Sequence, residues 1–165
     1  MDNILGNLYF FNNSAVSTIL LLLITGVAII SAWVDHRSRI LPDRLTAMIA
    51  VLSAVVLFLA REGLTGTDIA IWLVVVAVHV VLVIAPPYGL GGGDLKLIAA
   101  MGLSATSLSL LLPWLVLSYT LAAFEGLRRR FSKDSSTLAF GPWLVTAWIV
   151  IFMGESACVA MANCR

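Results

Sequence analysis

The stretch from Ala15 to Val34 contains no charged side chain. A helix that crosses a bilayer needs about 20 mostly apolar residues, and this stretch supplies them. Comparable apolar runs follow along the chain, which is 61% hydrophobic and only 12% charged, with a mean hydropathy of +1.03. A water-soluble domain carries about a quarter of its residues as charged side chains. The excess apolar surface must therefore face lipid, and we expect an all-α membrane protein.

The apolar runs predict six transmembrane helices in one membrane-embedded domain that comprises residues 1–165. The predicted helices cover approximately residues 15–34, 45–60, 68–85, 94–105, 107–127 and 142–162. The fourth is too short to cross a bilayer alone. Short or broken helices at membrane depth are tolerated where protein surrounds them or where they line a cavity. The short helix is therefore where we expect a functional site.

The basic residues predict the orientation of these helices in the membrane. With six crossings, the loops after the first helix, before the fourth and after the fifth lie on one side. These loops and their borders hold eight of the ten Lys and Arg residues, namely Arg37, Arg39, Arg44, Lys96, Arg128, Arg129, Arg130 and Lys133. Loops rich in Lys and Arg stay in the cytoplasm. We therefore expect both termini on the outer side.

A glycine run that ends in a carboxylate, Gly91-Gly92-Gly93-Asp94-Leu95-Lys96, begins the short fourth helix. A second aspartate, Asp35, closes the first apolar run on the same predicted side. Ionisable residues at membrane depth are costly, so they mark functional sites by default. The glycines allow unusual backbone angles and leave room for another chain to approach. Lys96 does not share the helix face of Asp94, and it would lower the local cost of charge.

Two carboxylates near one water molecule are the arrangement of an aspartic protease. Close like charges cannot both ionise easily, so the pair shares a proton. The N-terminal end of a helix favours a charged carboxylate and the C-terminal end disfavours it. We therefore expect Asp94 to be the general base and Asp35 the general acid. This chemistry requires no metal or organic cofactor. The net charge of +1 does not favour binding of nucleic acid.

A different class of protein fits the same residues. In a small transporter or proton-coupled channel, the two carboxylates would bind ions, and broken helices are common at such sites. An inverted internal repeat would support a transporter, and the sequence shows none. Three other polar residues have simpler structural interpretations. We expect Asp43 to cap the second helix, His79 to be hydrogen-bonded inside the protein, and Glu125 to pair with the arginines that follow it.

Three motifs in this order resemble those of the type IV prepilin peptidases, which are aspartic intramembrane proteases. The segment Gly91-Gly92-Gly93-Asp94 matches their Gly-x-Gly-Asp signature. Asp35, with the basic turn and Pro42-Asp43-Arg44 that follow it, resembles their first aspartate motif. Phe140-Gly141-Pro142 is similar to the Phe-Gly-Pro at the start of their last helix. The resemblance covers Asp35 to about Trp143, which is most of the chain.

The resemblance implies a function and a set of site residues. The resemblance implies that Asp35 and Asp94 are the catalytic residues. Residues that match the motifs around them are expected to shape the site: Gly91, Gly92, Gly93, Lys96, Pro42, Asp43, Gly141 and Pro142. It implies that the substrate is a prepilin or pseudopilin, with a short basic leader followed by an apolar helix. Cleavage is expected at the cytoplasmic face of the bacterial inner membrane, with lipid around the enzyme.

The sequence departs from the larger members of that family. Those members carry a cytoplasmic segment with paired cysteines and also N-methylate the mature pilin. The cysteines here are Cys158 and Cys164, and they form no Cys-x-x-Cys pair, so neither a zinc site nor methyl transfer is expected. The size resembles the peptidase-only members that serve Flp-type (tight adherence) pili. A catalytically inactive assembly protein of the pilus is a weaker alternative, because both aspartates are present.

Overall fold

The computed structural model describes residues 15–60, 66–85, 91–105, 108–132 and 138–151. Every regular element in these ranges is a helix, and the all-α prediction is confirmed. The helices are α1 (Ala15–Ser38), α2 (Asp43–Ala60), α3 (Gly66–Ile84), α4 (Gly92–Gly102), α5 (Leu108–Phe131) and α6 (Gly141–Ile151). Residues 152–162 of the predicted sixth helix, and both cysteines, lie outside the described residues.

Three of the described helices are long and apolar enough to cross a membrane. They are Ile19–Ser38 within α1, together with α3 and α5. In α3 the buried residue is His79, and the large apolar side chains around it are exposed. An apolar helix with so little protein cover is suited to lipid. The structure is thus that of a membrane protein, while the count of six crossings stays a prediction.

The helices α1 and α5 continue about one turn beyond the ends that hydropathy predicts, to Ser38 and Phe131 respectively. The first was expected to end at Val34 and continues to Ser38, whose hydroxyl donates a hydrogen bond to the Val34 carbonyl at 2.8 Å. Arg39 then ends the helix with a left-handed φ of 56°, while its N–H donates to the Asp35 carbonyl at 2.8 Å. Asp35 consequently lies inside the last turns of α1 and not beyond its end.

The short helix α4 is enclosed by other helices. It packs against α2 and α3, and α2 in turn packs against α1. The indole N–H of Trp72 on α3 donates a hydrogen bond to the Ala99 carbonyl at 3.0 Å. Leu97, Ile98 and Met101 of α4 are fully buried. A helix too short to span the bilayer is therefore held inside the protein, as the polarity of its backbone ends requires.

Tryptophan contacts join α5 to α6. The indole N–H of Trp114 donates a hydrogen bond to the Leu144 carbonyl at 2.9 Å. The Trp114 ring also meets Trp148 edge-to-face, with 5.5 Å between ring centroids. Aromatic pairs of this kind contribute about 0.5–1.5 kcal/mol beyond the area they bury. These contacts fix the start of α6, where Gly141 and Pro142 lie.

Candidate active site

Asp35 points into the protein because it continues the buried face of α1. Ala28, Ser31 and Ala32 precede it at helical spacing, and all three are buried. Residues spaced by three, four and seven positions share one face of a helix. Asp35 is itself only 5% exposed. The same pattern that packs α1 against its neighbours therefore carries a carboxylate into the interior.

Asp94 is brought inward by the same rule on α4. It lies three, four and seven positions before the buried residues Leu97, Ile98 and Met101. Asp94 is the third residue of its helix, in the first turn, where free backbone N–H groups favour a negative charge. Lys96 lies on a different face and is exposed. The fourth helix therefore directs its carboxylate inward and its ammonium group outward.

The two aspartates are brought together from separate helices. The Asp94 carboxyl group lies within electrostatic range of the Asp35 carboxyl group. Among the described residues, no group of three or more His, Cys, Asp or Glu side chains is placed to hold a metal ion. Within that part of the chain, the acidic site is a carboxylate pair. Such a pair has the composition required for one proton to be shared between an acid and a base.

Gly141 covers the Asp35 carboxyl group. A Cβ atom at position 141 would lie 2.7 Å from Asp35 Oδ2, which is closer than Cβ atoms approach other heavy atoms in real proteins. The backbone amide of Gly141 lies near the same carboxyl group. Oδ2 nevertheless has no well-formed hydrogen bond with any residue that the structure describes. Glycine is thus required here for space, and it leaves one buried carboxylate oxygen available.

The glycines of the Gly91-Gly92-Gly93 run have unequal roles. A Cβ at Gly91 would lie 2.9 Å from Asp94 Oδ2, and a Cβ at Gly93 would lie 3.0 Å from the Leu41 Cβ. A Cβ at Gly92 would meet no atom within 4 Å. Gly93 therefore lets α4 approach the connection between α1 and α2, and Gly91 leaves room for the Asp94 carboxylate. Gly92 has no comparable steric role.

Lys96 and Asp43 form an ion pair at the edge of the site. The Lys96 Nζ donates to Asp43 Oδ1 at 2.6 Å, and the two side chains are 56% and 75% exposed. An exposed pair of this kind contributes about 0–1 kcal/mol. Asp43 is the first residue of α2, after Pro42, whose carbonyl accepts the Leu45 N–H at 3.1 Å. The pair links the start of α2 to α4.

The motif Phe140-Gly141-Pro142 begins α6. The Phe140 carbonyl accepts the Trp143 N–H at 3.0 Å and the Leu144 N–H at 3.2 Å. Pro142 is the second residue of the helix, where its fixed φ and missing N–H are tolerated. Phe140 is buried. The local sequence therefore sets a helix start at the point where the chain passes Asp35.

The interactions predicted for His79 and Glu125 are found in the structure. The His79 Nδ1 lies 2.7 Å from the Val75 carbonyl oxygen. Glu125, which is 7% exposed, accepts hydrogen bonds from Arg128 at 2.7 and 3.0 Å and from Arg129 at 2.8 Å. His79 is therefore hydrogen-bonded inside the protein through Nδ1, and Glu125 pairs with the arginines that follow it, as expected from the sequence.

One residue near the aspartates was not identified from the sequence. The Tyr119 ring on α5 lies 5.0 Å from Phe140 and 5.9 Å from His79, measured between centroids. The Asp94 carboxyl group is close enough to act on Tyr119 electrostatically. The available signal was a single tyrosine in the apolar run of the fifth helix. Without the fold, nothing connects that position to Asp94.

The fold and the site define a class: a helical membrane protein with a buried aspartate near the end of α1 and a half-buried aspartate in the first turn of a short helix. The chain belongs to the type IV leader peptidase family, whose family model matches residues 18–127. The family resemblance seen in the motifs is thereby confirmed. The matched region includes both aspartates and the glycine run, and it ends before Phe140.

A relative from Xanthomonas campestris pathovar campestris is named prepilin leader peptidase/N-methyltransferase. It is 30% identical to this chain over 131 residues, which is 74% of the chain and 45% of the relative. The chain thus spans less than half the length of that relative. No solved structure matches the chain significantly.

Proposed function

We propose that this protein is an aspartic endopeptidase that removes the leader peptide of type IV prepilins or pseudopilins. The observation that carries the proposal is that Asp35, buried on α1, lies within electrostatic range of Asp94 in the first turn of α4. Membership of the type IV leader peptidase family supports the same activity. A transporter has no corresponding support from the family or from an internal repeat.

Hydrolysis requires one carboxylate and one carboxylic acid. The Asp94 carboxylate takes a proton from a water molecule while the water oxygen attacks the scissile carbonyl carbon. The protonated Asp35 gives its proton to the carbonyl oxygen, which produces a tetrahedral gem-diol. The C–N bond then breaks as Asp94 returns its proton to the amine nitrogen, and a gem-diol hydroxyl reprotonates Asp35. The pair ends in the protonation state in which it began.

The positions of the two carboxylates along their helices support this assignment of roles. Asp94 lies in the first turn of α4, near free backbone N–H groups that stabilise its charged form. Asp35 lies near the carboxyl end of α1, where the carbonyl groups disfavour a negative charge.

The site is proposed to open to the cytoplasmic face of the bacterial inner membrane. Arg37 at the end of α1, the three arginines at the end of α5 and the exposed Lys96 are basic groups of the kind that the positive-inside rule retains there. With six crossings, both termini then lie outside. A prepilin, with a basic leader followed by an apolar helix, would present its cleavage site at this depth.

We propose peptidase activity alone for these 165 residues, and Flp-type pilins as the substrate. The name of the Xanthomonas relative covers two activities, but the matched residues are 45% of that protein. We therefore do not extend the methyltransferase activity in that name to the residues that the two proteins share. An assay with a labelled methyl donor and processed pilin tests this, and label in the pilin would refute the restriction.

Co-expression with a prepilin, followed by mass spectrometry of the pilin N-terminus, tests the proposed function. The wild-type chain is expected to remove the leader, and Asp35→Asn and Asp94→Asn are expected to leave it in place. Asp68→Asn, in the first turn of α3, is the matched control and is expected to cleave normally. Leader removal by either active-site variant would refute an aspartic mechanism.

A further inference from the structure

The Tyr119 hydroxyl is a buried donor without a partner. Its oxygen is shielded from solvent and has no hydrogen bond with any residue that the structure describes. The ring is fixed on two sides, by Phe140 at 5.0 Å and by His79 at 5.9 Å. Leaving a buried donor unpaired is unfavourable for folding. A phenylalanine would keep the ring contacts without that cost, so the hydroxyl calls for a functional explanation.

Tyr119 is connected to both halves of the aspartate pair. Its ring packs on Phe140, and the next residue, Gly141, lies against the Asp35 carboxyl group. Tyr119 also lies within electrostatic range of the Asp94 carboxyl group. Its hydroxyl is hydrogen-bonded to neither carboxylate.

We propose that Tyr119 is a third catalytic residue, whose hydroxyl donates a hydrogen bond to the carbonyl oxygen of the scissile peptide. The inference rests on the proposed function, because it requires a peptide between the aspartates. As the water oxygen bonds to the carbonyl carbon, the carbonyl π electrons move onto the oxygen. Asp35 transfers a proton to that oxygen, and the Tyr119 O–H donates to its remaining lone pair. The tyrosine keeps its own proton throughout.

A fixed donor at a developing negative charge is a known source of rate enhancement. Removing one such donor lowers kcat by about 10²–10³-fold in well-studied cases. The interaction strengthens as charge accumulates on the oxygen, so its loss is expected in kcat and not in KM. The ring of Tyr119 is held by packing, so the donor needs little reorganisation when the substrate binds.

Tyr119→Phe tests the proposal, with Ser53→Ala as the matched control. Ser53 on α2 is also fully buried and has a hydroxyl without a partner among the described residues. It lies about 15 Å along α2 from Asp43, at 1.5 Å per residue. Each variant removes one unpaired buried hydroxyl. We expect Tyr119→Phe to lower kcat for prepilin cleavage about 100-fold with KM unchanged, and Ser53→Ala to cleave like the wild type.

Thermal unfolding in detergent separates a catalytic role from a structural one. Because the hydroxyl is unpaired, Tyr119→Phe is expected to unfold at the same or a higher temperature than the wild type. A lower unfolding temperature, or wild-type kcat, would overturn the role proposed for Tyr119 while leaving the peptidase proposal intact. Absence of cleavage by the wild-type chain, with prepilin confirmed as present, would overturn both proposals.

Discussion

Gly141 lies so close to Asp35 that a Cβ atom at position 141 would be 2.7 Å from Asp35 Oδ2. The start of α6 is therefore in contact with a carboxylate near the end of α1. The tryptophan contacts between α5 and α6 fix Gly141 in turn. The position of one proposed catalytic group thus depends on helices distant from it in sequence.

Gly141→Ala is expected to reduce leader cleavage at least about 100-fold, because a displacement of about 1 Å at a reacting group has this effect. The added methyl group must move either Asp35 or the α6 backbone. Gly126→Ala on α5 is the control, since a Cβ there meets nothing within 4 Å. It should retain full cleavage. Normal cleavage by Gly141→Ala, measured by mass spectrometry of the pilin, would contradict the contact.

The glycine run allows a second comparison between neighbouring positions. Gly93→Ala would place its Cβ 3.0 Å from the Leu41 Cβ, so α4 must shift by a few tenths of an ångström. We expect about tenfold slower cleavage, because Asp94 moves with the helix. Gly92→Ala adds a methyl group in open space and should cleave within about twofold of the wild type under the same principle. Equal effects of the two variants would show that steric contact is not the cause.

Glu125→Gln is expected to lower the unfolding temperature of the protein, because charged hydrogen bonds to two arginines are lost. Glu125 is 7% exposed and is bonded to Arg128 and Arg129. Arg130→Gln is the control, because Arg130 is exposed. Thermal unfolding in detergent measures both variants. If the Glu125→Gln protein is as stable as the wild type, the ion pairs of Glu125 with Arg128 and Arg129 do not stabilise the fold.

Reporter fusions test the proposed topology. Alkaline phosphatase, which is active only outside the cytoplasm, should be active when fused after Arg165 and inactive when inserted after Lys133. The reason is the excess of basic residues on the side that contains Arg128, Arg129 and Lys133. The opposite pattern, or activity at both positions, would contradict six crossings with both termini outside.

Hydropathy located the helices but not all of their ends. The apolar run of α1 stops at Val34, yet the helix continues to Ser38. Helix formation depends on backbone hydrogen bonds, and Arg39 N–H still finds the Asp35 carbonyl. Similarly, α5 runs through Arg128 to Phe131 because arginine is a good helix former and Glu125 pairs with the arginines of the next turn. An apolar run indicates which residues contact lipid, and a helix can continue beyond those residues.

The acidic residues of the site were identifiable from the sequence, and their surroundings were not. Asp35 and Asp94 were visible because carboxylates in apolar chains are rare and costly. Tyr119 carries no such signal, since tyrosine is common in membrane helices. The unequal roles of Gly92 and Gly93 depend on where Leu41 lies, which only tertiary packing determines. The sequence thus indicates the proposed reacting groups and the glycines near them, while the contacts that position these residues follow only from the fold.

Cross-linking of positions 35 and 94 tests the central claim most directly. Asp35→Cys and Asp94→Cys are introduced together after Cys158 and Cys164 have been changed to serine, and a short thiol-reactive cross-linker is added to membranes. The pair Asp43→Cys and Lys96→Cys, taken from an ion pair of 2.6 Å, is the positive control. Asp35→Cys with Phe58→Cys, near the far end of α2, is the negative control. The account predicts linked peptides for 35 with 94, and their absence while 43 with 96 reacts would contradict it.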